Sequence, residues 1–154
     1  MAQSEPSLYT LDEQLCFALY TASRAMTGCY RPPLGRIGLT YPQYLVMLVL
    51  WERGDTTIGG LCQALHLETG TLSPLLKRLE ATGLIRRRRR QDDERSVMIG
   101  LTSAGAELRE RAAATQGAVG QAAGLSDAEI VELRDTLHAL AERLRSSAVA
   151  ADTA

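Results

Sequence analysis

The chain has 154 residues, a net charge of −1, 45 % apolar and 5 % aromatic residues, enough for one compact domain with helical extensions. Its longest apolar run, Tyr44 to Trp51, is far short of the about 20 residues that span a bilayer, and no cationic and apolar leader opens the chain, so a cytoplasmic protein outside the membrane is expected. Three cysteines, an odd number, argue against a disulfide framework and for reduced thiols.

In chain order, residues 1–10 are polar with Pro6 and read as a flexible arm. Leu11, Leu15, Ala18, Leu19, Ala22 and Met26 mark one face of a helix expected to end near Cys29, with Pro32 and Pro33 closing it and Gly35 to Leu39 as linker. Thr40 or Tyr41 with Pro42 opens a second helix, whose body, Tyr44 to Trp51, is apolar almost all round and belongs in the core. Gly54 and Asp55 end it. Ile58, Leu61, Cys62 and Leu65 form a short helix, His66 to Glu68 a turn, and another helix begins near Thr69.

That last helix organises the chain. Leu72, Leu75, Leu76 and Leu79 recur at the spacing that buries one side of a helix, while Thr71, Ser73, Lys77 and Arg78 occupy the other. Pro74 is expected in its first turn and Gly83 stops it. Leu84 to Arg90 and Ser96 to Leu101 then read as two strands around a charged turn. A helix with a cationic outer face followed by an arginine-tipped hairpin is the layout of a winged helix-turn-helix, in which the helix enters the major groove of DNA and the hairpin reaches phosphates or the minor groove. Charge distribution agrees: residues 38–102 hold nine Lys/Arg against seven Asp/Glu, the remainder eight against eleven, a basic patch on an acidic body.

Thr102 reads as the N-cap of a helix from Ser103 to about Ala114, loosened afterwards by Gly117, Gly120 and Gly124. Ser126 and Glu129 have capping-box spacing. The final helix repeats Ile130, Leu133, Leu137, Leu140 and Leu144, and fraying is expected from Ser146. The expected organisation is an arm (1–10), an N-terminal dimerisation helix (11–37), a winged helix-turn-helix (38–102), C-terminal dimerisation helices (103–146) and a flexible tail (147–154). The apolar stripes of the first and last helices lie outside the small winged-helix core and need a partner. A second copy is the simplest one, and a two-fold dimer presents two recognition helices to a pseudo-palindromic operator.

The segment Asp93-Glu94-Arg95-Ser96-Val97-Met98-Ile99-Gly100-Leu101-Thr102 resembles the wing signature of the MarR family of dimeric winged-helix regulators. Leu15-Cys16-Phe17-Ala18-Leu19-Tyr20, Ser23-Arg24-Ala25-Met26, Thr40-Tyr41-Pro42-Gln43-Tyr44-Leu45 and Gly70-Thr71-Leu72-Ser73-Pro74 narrow the resemblance to its organic hydroperoxide resistance regulator (OhrR) branch. The resemblance implies a homodimeric repressor, not an enzyme, with no cofactor. Cys16 would be the peroxide-oxidised cysteine, and Tyr20 and Tyr30 the phenols that hydrogen-bond its sulfur from the partner subunit. A thiolate attacks a peroxide oxygen to give a sulfenic acid and an alcohol. No cysteine lies beyond Cys62, so this resembles the single-cysteine type, which needs a low-molecular-weight thiol to cap the sulfenic acid unless Cys29, beside Tyr30, approaches the partner's Cys16. On the DNA side it implies groove and phosphate contacts from Thr69, Thr71, Ser73, Lys77 and Arg78, a minor-groove contact from Arg95 positioned by Asp93, and wing contacts from Arg86 and Arg88. Cys62 and His66 stand one helical turn apart, but two ligands do not make a metal site. The competing readings are a repressor that binds a small phenolic ligand in the dimer cleft with Cys16 inert, a thiol peroxidase, and a DNA-architectural protein without a switch.

Overall fold

The computed structural model describes residues 10–93 and 96–152. The expected arm, apart from Thr10, lies outside them, as does the wing tip at Glu94 and Arg95. After a short 3-10 turn, Leu11–Glu13, come α1 (Leu15–Gly35), α2 (Tyr41–Arg53), β1 (Thr56–Thr57), α3 (Ile58–Leu65), α4 (Thr69–Ala81), β2 (Ile85–Arg89), β3 (Val97–Leu101), α5 (Ser103–Ala123) and α6 (Asp127–Asp152). The chain divides into two compact units, Met1–Gln116 and Gly117–Ala154, with α5 running across the division.

The first unit is a winged helix-turn-helix preceded by α1. Helix α2 starts on a capping box: the Gln43 amide donates to Thr40 Oγ1 and the Thr40 amide to Gln43 Oε1 at 2.9 Å, satisfying two orphan donors. Val46, Met47 and Leu50 of α2 meet Leu61 of α3 and Leu72, Leu76 and Leu79 of α4 in one core, all essentially without solvent exposure. The leucine stripe expected of α4 is therefore its buried face, with Leu75 half-buried at its edge. Helix α4 ends in a Schellman motif: Gly83, at φ +75°, donates to the Glu80 carbonyl and Leu84 to that of Leu79.

The sheet has three antiparallel strands in the order β1-β3-β2, one more than the expected hairpin. Strand β1 is only Thr56–Thr57, paired with Ile99 and Met98, and two residues carry no alternation that a sequence pattern could reveal. Thr102 joins the wing to α5. Its hydroxyl accepts from the Gly105 amide at 3.1 Å and donates to the Gly83 carbonyl at 2.6 Å. Thr102→Ala loses both a helix cap and a tie across the turn, and is expected to cost about 1–2 kcal/mol, read as a lower urea midpoint at unchanged m-value. Gly105 admits no side chain, because a Cβ there would collide with the Leu84 carbonyl oxygen, and its own carbonyl accepts from Trp51 Nε1 at 2.9 Å.

Four expected boundaries are corrected. Helix α1 does not stop at Cys29 but includes Pro32 and Pro33. Both lie in its last turn, proline φ is helical, and the carbonyls left without donors, those of Gly28 and Cys29, belong to exposed residues that water can serve. Pro74 lies inside α4, beyond its first turn, with the exposed Gly70 four residues before it. Helix α5 continues through Gly117 and Gly120 to Ala123, since an interior glycine costs about 1 kcal/mol without breaking a helix, and alanines surround both. Helix α6 runs to Asp152 rather than fraying at Ser146, carried by the helix-favouring Ala148, Ala150 and Ala151. In the second unit the expected box at Ser126 and Glu129 forms, with amide and carboxylate 2.8 Å apart. The Ser126 amide and hydroxyl hold the Glu129 carboxyl below the usual range.

Candidate nucleic-acid interface and redox site

Helix α3 ends at His66 in the left-handed region (φ +52°), where the Leu67 amide donates to the Cys62 carbonyl. That turn sends α4 across the core with Thr69, Thr71, Lys77 and Arg78 exposed and Ser73 half-buried. Thr71, Lys77 and Arg78 are thus presented opposite the buried leucines, Ser73 lies at the edge of that face, and Thr69, exposed at the start of the helix, lies on the leucine side. Thr69 Oγ1 lies 3.7 Å from Cys62 Sγ, so Cys62 packs beneath the start of the recognition helix. No group of three or more metal-ligating side chains occurs among the described residues.

The arginine run is divided by strand alternation. Ile85 is buried. Arg87, on its side of β2, pairs with Glu80 of α4 at 2.9 Å. Arg86 and Arg88, on the other side, both reach Asp55 Oδ2, at 3.3 and 3.7 Å, and Arg86 also donates to the Leu101 carbonyl. The two wing arginines expected on DNA are therefore held by an acid that sequence reasoning assigned only to a turn. Arg90 pairs with Asp92 and holds that carboxyl below the usual range. Asp93 is exposed and its carbonyl accepts from the Ser96 amide at 3.0 Å; Arg95 is outside the described residues.

The expected redox residues are not all together within one chain. Cys16 is exposed in the first turn of α1, and its side chain makes no hydrogen bond to another described residue. Tyr20, one turn on, is also exposed, and its hydroxyl accepts from Arg24 at 3.0 Å. Tyr30 lies fourteen residues beyond Cys16 on the same continuous helix, about 21 Å along its axis and close to four turns, hence on nearly the same side. Its ring packs 4.9 Å from that of Tyr41 and 5.9 Å from that of Tyr44, and Tyr44 reaches Trp51 at 6.3 Å. Burial, reinforced by the neighbouring phenols, raises the Tyr30 and Tyr41 pKa values, keeping both hydroxyls protonated as donors. Tyr41 was missed as a candidate, although the Thr40-Tyr41-Pro42 start of α2 determines where it stands relative to Tyr30.

In the first unit Leu11 is 61 % exposed, Leu15 65 % and Met26 46 %; in the second, α6 by itself exposes Val131, Leu133, Leu137 and Leu144. A cavity of about 630 Å³ lies between α2 and α5, lined by Tyr44, Leu48, Trp51, Glu52, Arg109 and Gln116 among others. No helix among the described residues is long and apolar enough to cross a membrane.

Comparison with known proteins agrees with this architecture. Residues 30–111 match the family described as transcriptional regulator SarA/Rot. The organic hydroperoxide resistance transcriptional regulator of Bacillus subtilis (strain 168) is 45 % identical over 134 residues, covering 87 % of this chain and 91 % of that protein. Reduced AbfR bound to DNA, the AbfR of Staphylococcus epidermidis, superposes with a TM-score of 0.75 at 36 % identity, covering 88 % of this chain and 93 % of that one. Overoxidised AbfR bound to DNA gives 0.71 at 37 %, covering 87 % and 94 %. With its recognition helix, three-stranded wing and these relatives, the chain belongs to the MarR family of winged-helix DNA-binding transcriptional regulators, in the organic hydroperoxide resistance branch.

Proposed function

We propose that this regulator is a homodimeric repressor that binds a pseudo-palindromic operator when reduced and releases it when an organic hydroperoxide oxidises Cys16, so that peroxide-resistance genes are expressed. The observation that carries the reading is the placement of an exposed thiol and a protonated phenol at opposite ends of one side of α1. Two copies of α1 crossing antiparallel near Ser23, midway between them, bring each Cys16 to the partner subunit's Tyr30. The same pairing covers Leu15 and Met26, exposed in the single chain. Tyr41, packed against Tyr30, adds a second donor, and Tyr20 stands one turn beyond Cys16 on α1.

The chemistry is balanced. The Cys16 thiolate attacks the terminal peroxide oxygen, the O–O bond breaks, and the sulfur becomes a sulfenic acid. The departing alkoxide takes a proton from solvent and leaves as an alcohol. Neutral phenols stabilise the thiolate without adding charge, leaving an apolar approach suited to an organic peroxide. A low-molecular-weight thiol then condenses with the sulfenic acid, releasing water and forming a mixed disulfide. Either oxidised form adds polar bulk where α1 meets its partner and changes the spacing of the two recognition helices. Nothing in this sequence of events turns the protein over as an enzyme.

The test is fluorescence anisotropy on DNA from upstream of the gene, titrated with cumene hydroperoxide in the presence of a small thiol. Release at about one peroxide per subunit, reversed by reductant, is the expected result. Binding that ignores peroxide would overturn the sensing reading and leave DNA binding intact. The cavity between α2 and α5 favours one second reading, a repressor released by a small phenolic ligand with Cys16 inert.

A further inference from the structure

Asp55 follows α2 and precedes β1. The sheet register gives it a second task. Thr56 pairs with Ile99 and Arg86 with Gly100. One step back along β1 sets Asp55 level with Gly100, so Asp55, Gly100 and Arg86 form one rung across three strands. The ends of such a rung are two strand spacings apart, about 9.6 Å. Asp55 and Arg86 nevertheless meet at 3.3 Å, directly over the middle strand. They can do so because the middle position is glycine: a Cβ on Gly100 would fall 2.8 Å from the Asp55 carboxyl carbon and 3.0 Å from Oδ2. Arg88, two residues along the same face, reaches the same oxygen at 3.7 Å.

We propose that Asp55 is a positioning residue for operator recognition, a clasp that holds the arginine strand of the wing in fixed orientation to the helix-turn-helix. The proposal rests on DNA binding through α4 and the wing. Asp55 joins the segment leading into α3 to β2, the strand that carries the chain to the wing tip, and it does so from outside the hairpin. Both arginines are half or more exposed, with side-chain exposures of 50 and 67 %, so the clasp adds little to folding stability. What it restricts is direction. Two cations tied to one carboxylate meet DNA in one geometry; released, they meet any phosphate within reach.

The sign of the effect separates this from simple charge. If Asp55 were only a negative charge near DNA, removing it would strengthen binding to all duplexes alike. A clasp predicts that the ratio of specific to non-specific affinity falls. Gly100→Ala tests the same point without changing any charge, because the added methyl displaces the carboxylate from its seat. The experiment begins with the wild-type protein enriching a duplex from a random-sequence library. Affinities of wild type, Asp55→Asn and Gly100→Ala are then measured for that duplex and for a scrambled duplex of equal composition. Both variants are expected to lower the specific-to-scrambled ratio about five-fold, the scale of an exposed ion pair of about 1 kcal/mol, with scrambled-duplex binding unchanged or tighter. Equal strengthening on both duplexes by Asp55→Asn, or an unchanged ratio, would overturn the clasp. Should Gly100→Ala not fold, Asp55→Asn alone decides between those outcomes. A library from which wild type enriches nothing would instead overturn the DNA-binding reading on which the clasp rests.

Discussion

Cys16→Ser is expected to abolish release from DNA by organic hydroperoxide while leaving operator affinity of the reduced protein within about two-fold. Serine is nearly isosteric, and its hydroxyl has neither the acidity nor the polarisability to attack a peroxide oxygen. Cys16 is exposed and its side chain donates to no described residue, so the substitution removes chemistry rather than packing within the chain. Cys29→Ser and Cys62→Ser are the matching controls and should keep the response, Cys62 because it packs beneath Thr69 rather than on the α1 face. Mass spectrometry of peroxide-treated wild type should place the added oxygen, or the small-thiol adduct, on the peptide that contains Cys16. A Cys16→Ser protein that still leaves DNA with peroxide would refute the assignment. One that ignores peroxide but leaves DNA with a phenolic compound would favour the cavity between α2 and α5 as the sensing site. A linked Cys16–Cys29 peptide would show that the oxidised thiol is resolved between subunits rather than by a small thiol.

The double substitution Lys77→Ala and Arg78→Ala is expected to weaken operator binding roughly a hundred-fold, since the proposed dimer would lose four cationic side chains from its two recognition helices. Both residues are exposed on α4, opposite Leu72, Leu76 and Leu79, and neither pairs with an acid among the described residues. Alanine is a better helix former than either, so the helix and its core contacts remain. If all four groups bind phosphate, the slope of log affinity against log salt falls by about 3.6, at about 0.9 per contact. If Arg78 reads a base edge instead, the slope changes less and discrimination at one base pair of each half-site relaxes. Affinity within two-fold of wild type, with the protein folded, would move the DNA-reading face away from this side of α4.

Much of the fold could be read from short-range rules. The leucine stripe of Leu72 to Leu79 identifies a helix with one buried side because a 3.6-residue period is a local property. The Thr102 and Ser126 caps follow from side chains that reach only three residues along their own chain. Gly83 ends α4 because glycine takes the left-handed conformation a Schellman turn requires. The same local reasoning misplaced the end of α1, where the penalty for Pro32 and Pro33 falls on exposed carbonyls and water absorbs it. It also lost β1, whose two residues become a strand only through β3.

The candidate site divides in the same way. Which residues could carry the chemistry — a cysteine near the start of an apolar helix, phenols farther along, cations on the outer face of α4 — was determined by the sequence itself, through residue type, spacing and resemblance. Which of them stand together was decided by tertiary structure alone. An unbroken α1 separates Cys16 from Tyr30 of its own chain by about 21 Å, while the start of α2 packs Tyr41 against Tyr30 with the rings tilted. Three strands in register carry Asp55 over Gly100 to arginines more than thirty positions away in sequence. Periodicity and capping act over one helical turn, whereas these contacts depend on how distant segments pair, a relation no local pattern encodes.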